Sequence, residues 1–311
     1  MSEPNPFELY RAGVRQAFDR AGARYEAAAL VQARVAEELL ARLEPFAFAP
    51  DVLLDLGAGT GRATRRLKRL YRRACIVALD LSPGMLRQAA RHQTLLRRFE
   101  RVCADATRLP LAAQSVDMIF SNLMLQWCDP PDEAFAEARR VLKPRGFFAF
   151  STFGPDTLRE LRAAWGEDSR THVNRFVDMH DLGDALMRMG FSEPVLDVER
   201  MTVNYQDALT LMRDLKAIGA HNVTAGRARS LTGKDRLRGM LERYETYRCD
   251  GRLPATYEII YGAAWAGSER DEHPSPPGVL PPRVVGGAGF PPAPGGEVQV
   301  PLSRIRRRKR A

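Results

Sequence analysis

With 311 residues, 45% of them hydrophobic and 27% charged, the chain is long enough to bury a sizeable core, in one large domain or two small ones. No run approaches eighteen consecutive apolar residues, so no membrane span is expected, and the polar start with Glu3 and Glu8 lacks the charged-then-apolar order of a secretory signal. The net charge of +9 divides into +5 on the body and +4 on the last stretch, Gly267 to Ala311.

Glu8 to Leu43 is predicted as one or two helices. Val14, Ala17 and Phe18, then Leu30, Val31, Val35, Leu39 and Leu40, recur at helical spacing, and Pro45 and Pro50 close the segment. Short β runs then alternate with helical patterns. The runs are 51–56, 74–80, 99–103, 115–121 and 146–152, and the helices between them are 60–71, 83–92 and 132–142, with Ser82 as N-cap and Pro83 in the first turn. This alternation, with apolar runs suited to burial on both faces, implies a parallel sheet with right-handed crossovers. After Phe153 the order changes to helices at 156–165, 178–189, 207–219 and 234–247 and β runs at 194–205 and 256–265. The expected organisation is an N-terminal helical segment (1–45), an α/β doubly wound domain (46–266) with helical insertions at about 155–190 and 206–250, and a tail (267–311). That tail holds nine of the 21 prolines and is expected to lack structure. Its basic end suits an acidic surface or nucleic acid, but no nucleic-acid-binding module is recognisable beside the core, so nucleic acid is not an expected partner. The four cysteines, Cys75, Cys103, Cys128 and Cys249, show no metal-ligand spacing and are expected to be buried free thiols of a cytoplasmic protein; no metal is expected.

The chemistry gathers at successive strand ends. Gly57, Gly59 and Gly61 follow the first run with G-x-G-x-G spacing. A dinucleotide fingerprint would need glycine where Arg62 stands. Asp55, just before the loop, is placed to meet an ammonium, whereas a pyrophosphate would gain nothing from a negative charge there. Asp80 ends the second run, where a carboxylate can accept both ribose hydroxyls. Asp105 with Ala106 ends the third, placed to accept from an adenine amino group, and Asn122 follows the fourth. Together these predict binding of S-adenosylmethionine (SAM).

This arrangement resembles the class I SAM-dependent methyltransferases over about Leu43 to Thr152. The resemblance implies a Rossmann-like sheet of seven strands, mostly parallel, the last antiparallel. It also implies that Gly57, Gly59 and Gly61 frame the methionine part, Asp80 holds the ribose, Asp105 and Ala106 the adenine, and Leu81 and Met85 pack on that ring. Met85 suits plain core equally well.

Phe18 to Tyr25, Ser121-Asn122-Leu123 with Gln126-Trp127, Asn174-Arg175-Phe176, Leu215 to Ala220, Gly226-Arg227 and Gly251 to Tyr257 are more specific. They are similar to the malonyl-acyl-carrier-protein O-methyltransferases of biotin synthesis, over about Val14 to Trp265. The resemblance implies methyl transfer to the free carboxylate of malonyl on acyl-carrier protein. That carboxylate is already ionised at pH 7, and no convincing general base is present among the five histidines. Arg175 is the first choice to grip it, since a guanidinium holds a carboxylate bidentately; a surface salt bridge is the alternative. Tyr25, Gln126, Trp127, His221 and Asn222 are further candidates for the acceptor pocket, with Trp127 equally suited to plain core. The positive body suits an acidic carrier, with Lys216, Arg227 and Arg229 as candidate contacts and solvated surface charges as the default reading. Phe153 to Leu158 and Val203-Asn204-Tyr205 also resemble a complex I assembly factor that hydroxylates an arginine, which stands as the alternative.

Overall fold

The computed structural model describes residues 11–46, 48–94, 97–166, 176–218, 233–267 and 298–301. Two helices, α1 (Arg11–Ala28) and α2 (Leu30–Ala41), precede β1 (Val52–Leu56), α3 (Arg62–Leu70), β2 (Cys75–Asp80), α4 (Pro83–Arg91), β3 (Glu100–Cys103) and β4 (Val116–Asn122). A short 3-10 turn (Leu125–Trp127), α5 (Asp132–Val141) and β5 (Leu142–Phe153) follow. The remainder is α6 (Arg159–Trp165), α7 (Met179–Arg188), β6 (Phe191–Tyr205), α8 (Ala208–Ala217), α9 (Lys234–Glu245), β7 (Leu253–Ala266) and β8 (Val298–Pro301).

The strands form one sheet in the order β3-β2-β1-β4-β5-β7-β6-β8. β1 to β5 run parallel, and β7 lies antiparallel between β5 and β6. Seven strands are those expected. The eighth, residues 298–301 of the tail, pairs in parallel with β6. Four tail residues are therefore extended where no structure was expected. The edge of β6 offers unpaired backbone groups that an extended segment can satisfy.

Successive side chains of a strand leave on opposite faces, so the near-continuous apolar runs feed two separate cores. Leu53, Met118, Phe120 and Phe147 join Val35 and Leu39 of α2, Leu67 of α3 and Tyr244 of α9 on one face. Leu54, Ile119, Phe148 and Phe150 join Phe135 of α5 and Leu186 of α7 on the other. Gly262 of β7 faces Phe150 of β5 across the ladder, and a Cβ there would collide with the Phe150 ring. Gly262→Ala should therefore overpack the sheet, costing about 2 kcal/mol and several degrees of Tm. An unchanged melting curve would contradict this.

Local capping fixes where helices start. Ser82 Oγ accepts from Met85 N (3.1 Å), Asp178 from His180 N (2.8 Å) and Asp207 from Thr210 N (2.7 Å). α1 is held across the top of the sheet by Asp19, whose carboxylate accepts from Ser82 Oγ (2.6 Å) and Gly84 N (2.8 Å). At the end of α2, Arg42 is 1% exposed. Its guanidinium meets Glu38 at 3.3 Å, Asp197 at 2.5 Å and Glu199 at 3.9 Å, and lies 4.2 Å from the Tyr261 ring centre.

The expectation of buried thiols is corrected. Cys75, Cys103 and Cys249 are exposed and only Cys128 is partly covered. Cys75 opens β2 and Cys103 closes the edge strand β3, positions at strand ends that neighbouring elements leave uncovered. Among the described residues, no helix is long and apolar enough to cross a membrane.

Candidate active site

The carboxyl ends of β1, β2, β3 and β4 open into one crevice, roofed by α1 and the start of α2. The main cleft, about 980 Å³ counted to its open mouth, continues into a smaller compartment between the glycine loop and α2. Tyr25, Gln32, Gly57, Gly59 and Asn122 line both.

Asp80 is the hub. One carboxylate oxygen accepts from Gly59 N and the other from Ser82 N, each at 2.8 Å, which leaves further lone pairs turned to the cleft. Burial pushes this carboxyl up to about 6, against the two backbone hydrogen bonds and with some help from the charge of Asp19. The glycine loop is tied to the same strand, since Gly57 N and Ala58 N both donate to Leu79 O, at 2.8 and 2.9 Å. Gly57 has φ +83°, and a side chain there would run into Met124. Asp55 lines the smaller compartment and accepts from Thr64 Oγ1 at 2.5 Å. Burial pushes it up to about 7, opposed by the Thr64 bond and aided by Asp80.

The third carboxylate, Asp105, accepts from Thr107 N and Thr107 Oγ1 at 2.9 Å and from Arg11 Nη1 at 3.1 Å. Burial alone would raise it; the Thr107 hydrogen bonds and the Arg11 guanidinium outweigh that and hold it below the usual range. Arg11 also donates to Glu133 at 2.7 Å, closing the mouth between α1 and α5. Leu81, Met85, Ala106 and Trp127 line this end with Val14 and Phe18, the Phe18 and Trp127 rings meeting edge-on at 5.2 Å.

Opposite the loop, Asn122 accepts from Ser151 Oγ (3.0 Å) and donates to Gln32 O (3.1 Å). Gln126 donates to Leu123 O (2.6 Å) and accepts from Thr152 (3.3 Å). Tyr25 sits beside Asp80; burial and that carboxylate hold its phenol well above the ordinary range, so it stays protonated and can donate. Gln32 Oε1 is buried with no hydrogen-bond partner among the described residues. An orphaned acceptor here, beside carboxylates and a bare glycine loop, fits a cationic ligand that brings its own donors.

Of the residues expected at the site, Tyr25, Asp55, Gly57, Gly59, Asp80, Leu81, Met85, Asp105, Ala106, Asn122, Gln126 and Trp127 converge on these two compartments. Met85 both lines the cleft and is buried, 1% exposed. Gly61 lines neither compartment. A Cβ there would lie 2.9 Å from Ala89 Cβ, so this glycine serves the approach of α3 to α4. Arg175, His221, Asn222, Arg227 and Arg229 lie outside the described residues. Lys216 is exposed on α8. Arg11 and Gln32 were not anticipated. A signal for Gln32 was present: Ala29, Ala33 and Ala36 make one face of α2 small, and a single amide stands on that face.

The family described as "Methyltransferase domain" matches residues 54–150. A malonyl-[acyl-carrier protein] O-methyltransferase of Methylovorus sp. (strain MP688) is 52% identical over 263 residues, 82% of this chain and 88% of the relative. A protein of the same name from Gallionella capsiferriformans is 47% identical, covering 86% and 94%. Among solved structures, the complex of a Haloferax volcanii Trm112 methyltransferase activator with a putative methyltransferase matches with a TM-score of 0.52 at 20% identity, covering 82% of this chain and 98% of that one. A putative methyltransferase from Bacillus halodurans matches with a TM-score of 0.52 at 16% identity, covering 75% and 100%. These two likenesses concern the fold.

Proposed function

The chain belongs to the malonyl-[acyl-carrier protein] O-methyltransferase family, and on that premise we propose that it methylates the free carboxylate of malonyl carried on acyl-carrier protein, using S-adenosylmethionine. The methyl ester hides a charge, which lets the chain be elongated toward the pimeloyl part of biotin. Extended similarity to those relatives carries the reading. We place the reaction in the cytoplasm, where the carrier works.

SAM when bound supplies a methyl group on a sulfonium, a good leaving group. The protein's own task is alignment and a dry site. In this reading Asp80 accepts from the ribose hydroxyls and Asp105 from the adenine amino group. Gly57 and Gly59 give the methionine part close backbone approach. Asp55 and Gln32 Oε1 face its ammonium. Leu81, Met85, Phe18 and Trp127 keep water from the ring. The acceptor carboxylate needs no base, so the protonated Tyr25 phenol and the Gln126 amide serve as donors that orient it. Arg175 remains the proposed cationic grip.

The test is transfer of label from methyl-labelled SAM to malonyl-carrier protein, with the methyl ester identified by mass. SAM binding without ester formation would overturn the reading and favour a factor that modifies or assembles protein. Affinity for SAM should also follow pH. A cationic ligand prefers Asp80 and Asp55 ionised, and their carboxyls are pushed up to about 6 and about 7. Lowering the pH from 8 to 5.5 protonates both and should weaken binding by roughly tenfold to a hundredfold. Calorimetry over that range checks this, and Asp55→Asn should make the dependence shallower.

A further inference from the structure

Positive charge is concentrated in one part of the molecule. Residues 62–101 hold twelve lysines and arginines against two acids, Asp80 and Glu100, a net +10 that exceeds the +9 of the entire chain. Asp80 is turned into the cleft, which leaves Glu100 as the surface acid of this stretch. α3 carries the densest part. Arg62 is 3.8 Å from Glu37 at the cleft rim, and Arg65 is 3.4 Å from Glu26. Arg66, Arg69, Arg72 and Arg73 are exposed, with no carboxylate at ion-pair distance among the described residues. In their midst Leu70 is 54% exposed.

We propose that this cationic face of α3, centred on Leu70, is the docking surface for the acidic carrier protein. The proposal rests on the reading above that malonyl arrives on such a carrier. An acidic partner is steered to a field of one sign, and rim charges act mainly on encounter and orientation. An apolar side chain inside the charged ring supplies the contact that charge alone does not. α3 leads from this patch to the active site: its nine residues span about 12 Å between Leu70 and the rim at Arg62, within reach of the carrier's flexible acyl-bearing arm. A nucleic acid strand would call for exposed aromatic rings, and the aromatic ring on α3 and the turn after it, Tyr71, packs against the core.

The experiment compares the full-length protein with Arg66→Glu/Arg69→Glu and with an equal reversal elsewhere, Lys234→Glu/Arg238→Glu on α9. The expected result is a KM for malonyl-carrier protein raised about tenfold or more by the α3 pair and less than twofold by the α9 pair. SAM affinity and kcat should be unchanged, and the Arg66→Lys/Arg69→Lys protein should keep the parent KM. Equal effects of the two reversals would mean bulk charge rather than a docking face, and no effect of either would also overturn the proposal. Loss of RNA binding in the α3 pair with an unaltered carrier KM would assign the face to nucleic acid instead. If the parent protein binds SAM yet never methylates the carrier, the functional reading itself fails, and docking falls with it. An active parent with an insensitive α3 pair removes docking alone.

Discussion

Replacing Asp80 with alanine is expected to raise the dissociation constant for SAM by about a hundredfold, with a matching loss of activity at limiting cofactor. The carboxylate is buried and already holds Gly59 N and Ser82 N at 2.8 Å. Hydrogen bonds to a charged group contribute roughly 1.5–3 kcal/mol each, so losing the proposed ribose acceptors together is worth about 3 kcal/mol, which corresponds to that factor. The same change strands the two backbone donors and slackens the glycine loop. Asp80→Asn keeps one acceptor for a loop amide but turns an N–H toward the other, and should fall between alanine and the parent. Calorimetric titration, with circular dichroism as a fold check, reads this directly. An unchanged dissociation constant would remove Asp80 from the cofactor site.

The largest expected effect on stability comes from Arg42→Ala. The guanidinium is nearly inaccessible and lies among Glu38, Asp197 and Glu199, over the Tyr261 ring. Removing it leaves three neighbouring carboxylates without their cation, and a cavity where the side chain was. Breaking a buried ion cluster from one side costs about 3–5 kcal/mol, which for a domain of this size is on the order of 10 °C in Tm. Burial raises the Glu199 carboxyl, with Glu38 adding to the rise and Arg42 opposing it. The variant should therefore regain part of its loss at acidic pH, where Glu199 takes up a proton. Arg42→Met should lose less, because it fills the volume. A melting curve within a degree of the parent would contradict the argument. The cluster joins the end of α2 to β6, so its loss should also loosen the roof over the cleft.

Much of the site was legible because it is local. Asp55, Gly57, Gly59, Asp80, Asp105 and Asn122 each follow a short apolar run, and in a parallel sheet all such positions come to one edge. Gly61 shows what spacing leaves open. Spacing marks a glycine as special without telling whether a ligand or a neighbouring helix needs the room, and here the neighbour is Ala89 of α4. Cysteine exposure was misread because an apolar run does not show which of its residues stand at a strand end.

Determined by the sequence alone were the α/β alternation, the order of acids and glycines, and the family, since all three are written in spacing along the chain. Tertiary structure decided which remote groups meet: Arg11 on Asp105, Asp19 on Ser82 and Gly84, and Gln32 beside Asn122 around the crevice, and Arg42 on β6 away from it. Those partners lie 63 to 155 positions apart in hydrogen-bonded pairs. No periodicity carries across such a span, and only the packing of α1 and α2 over the sheet brings them together.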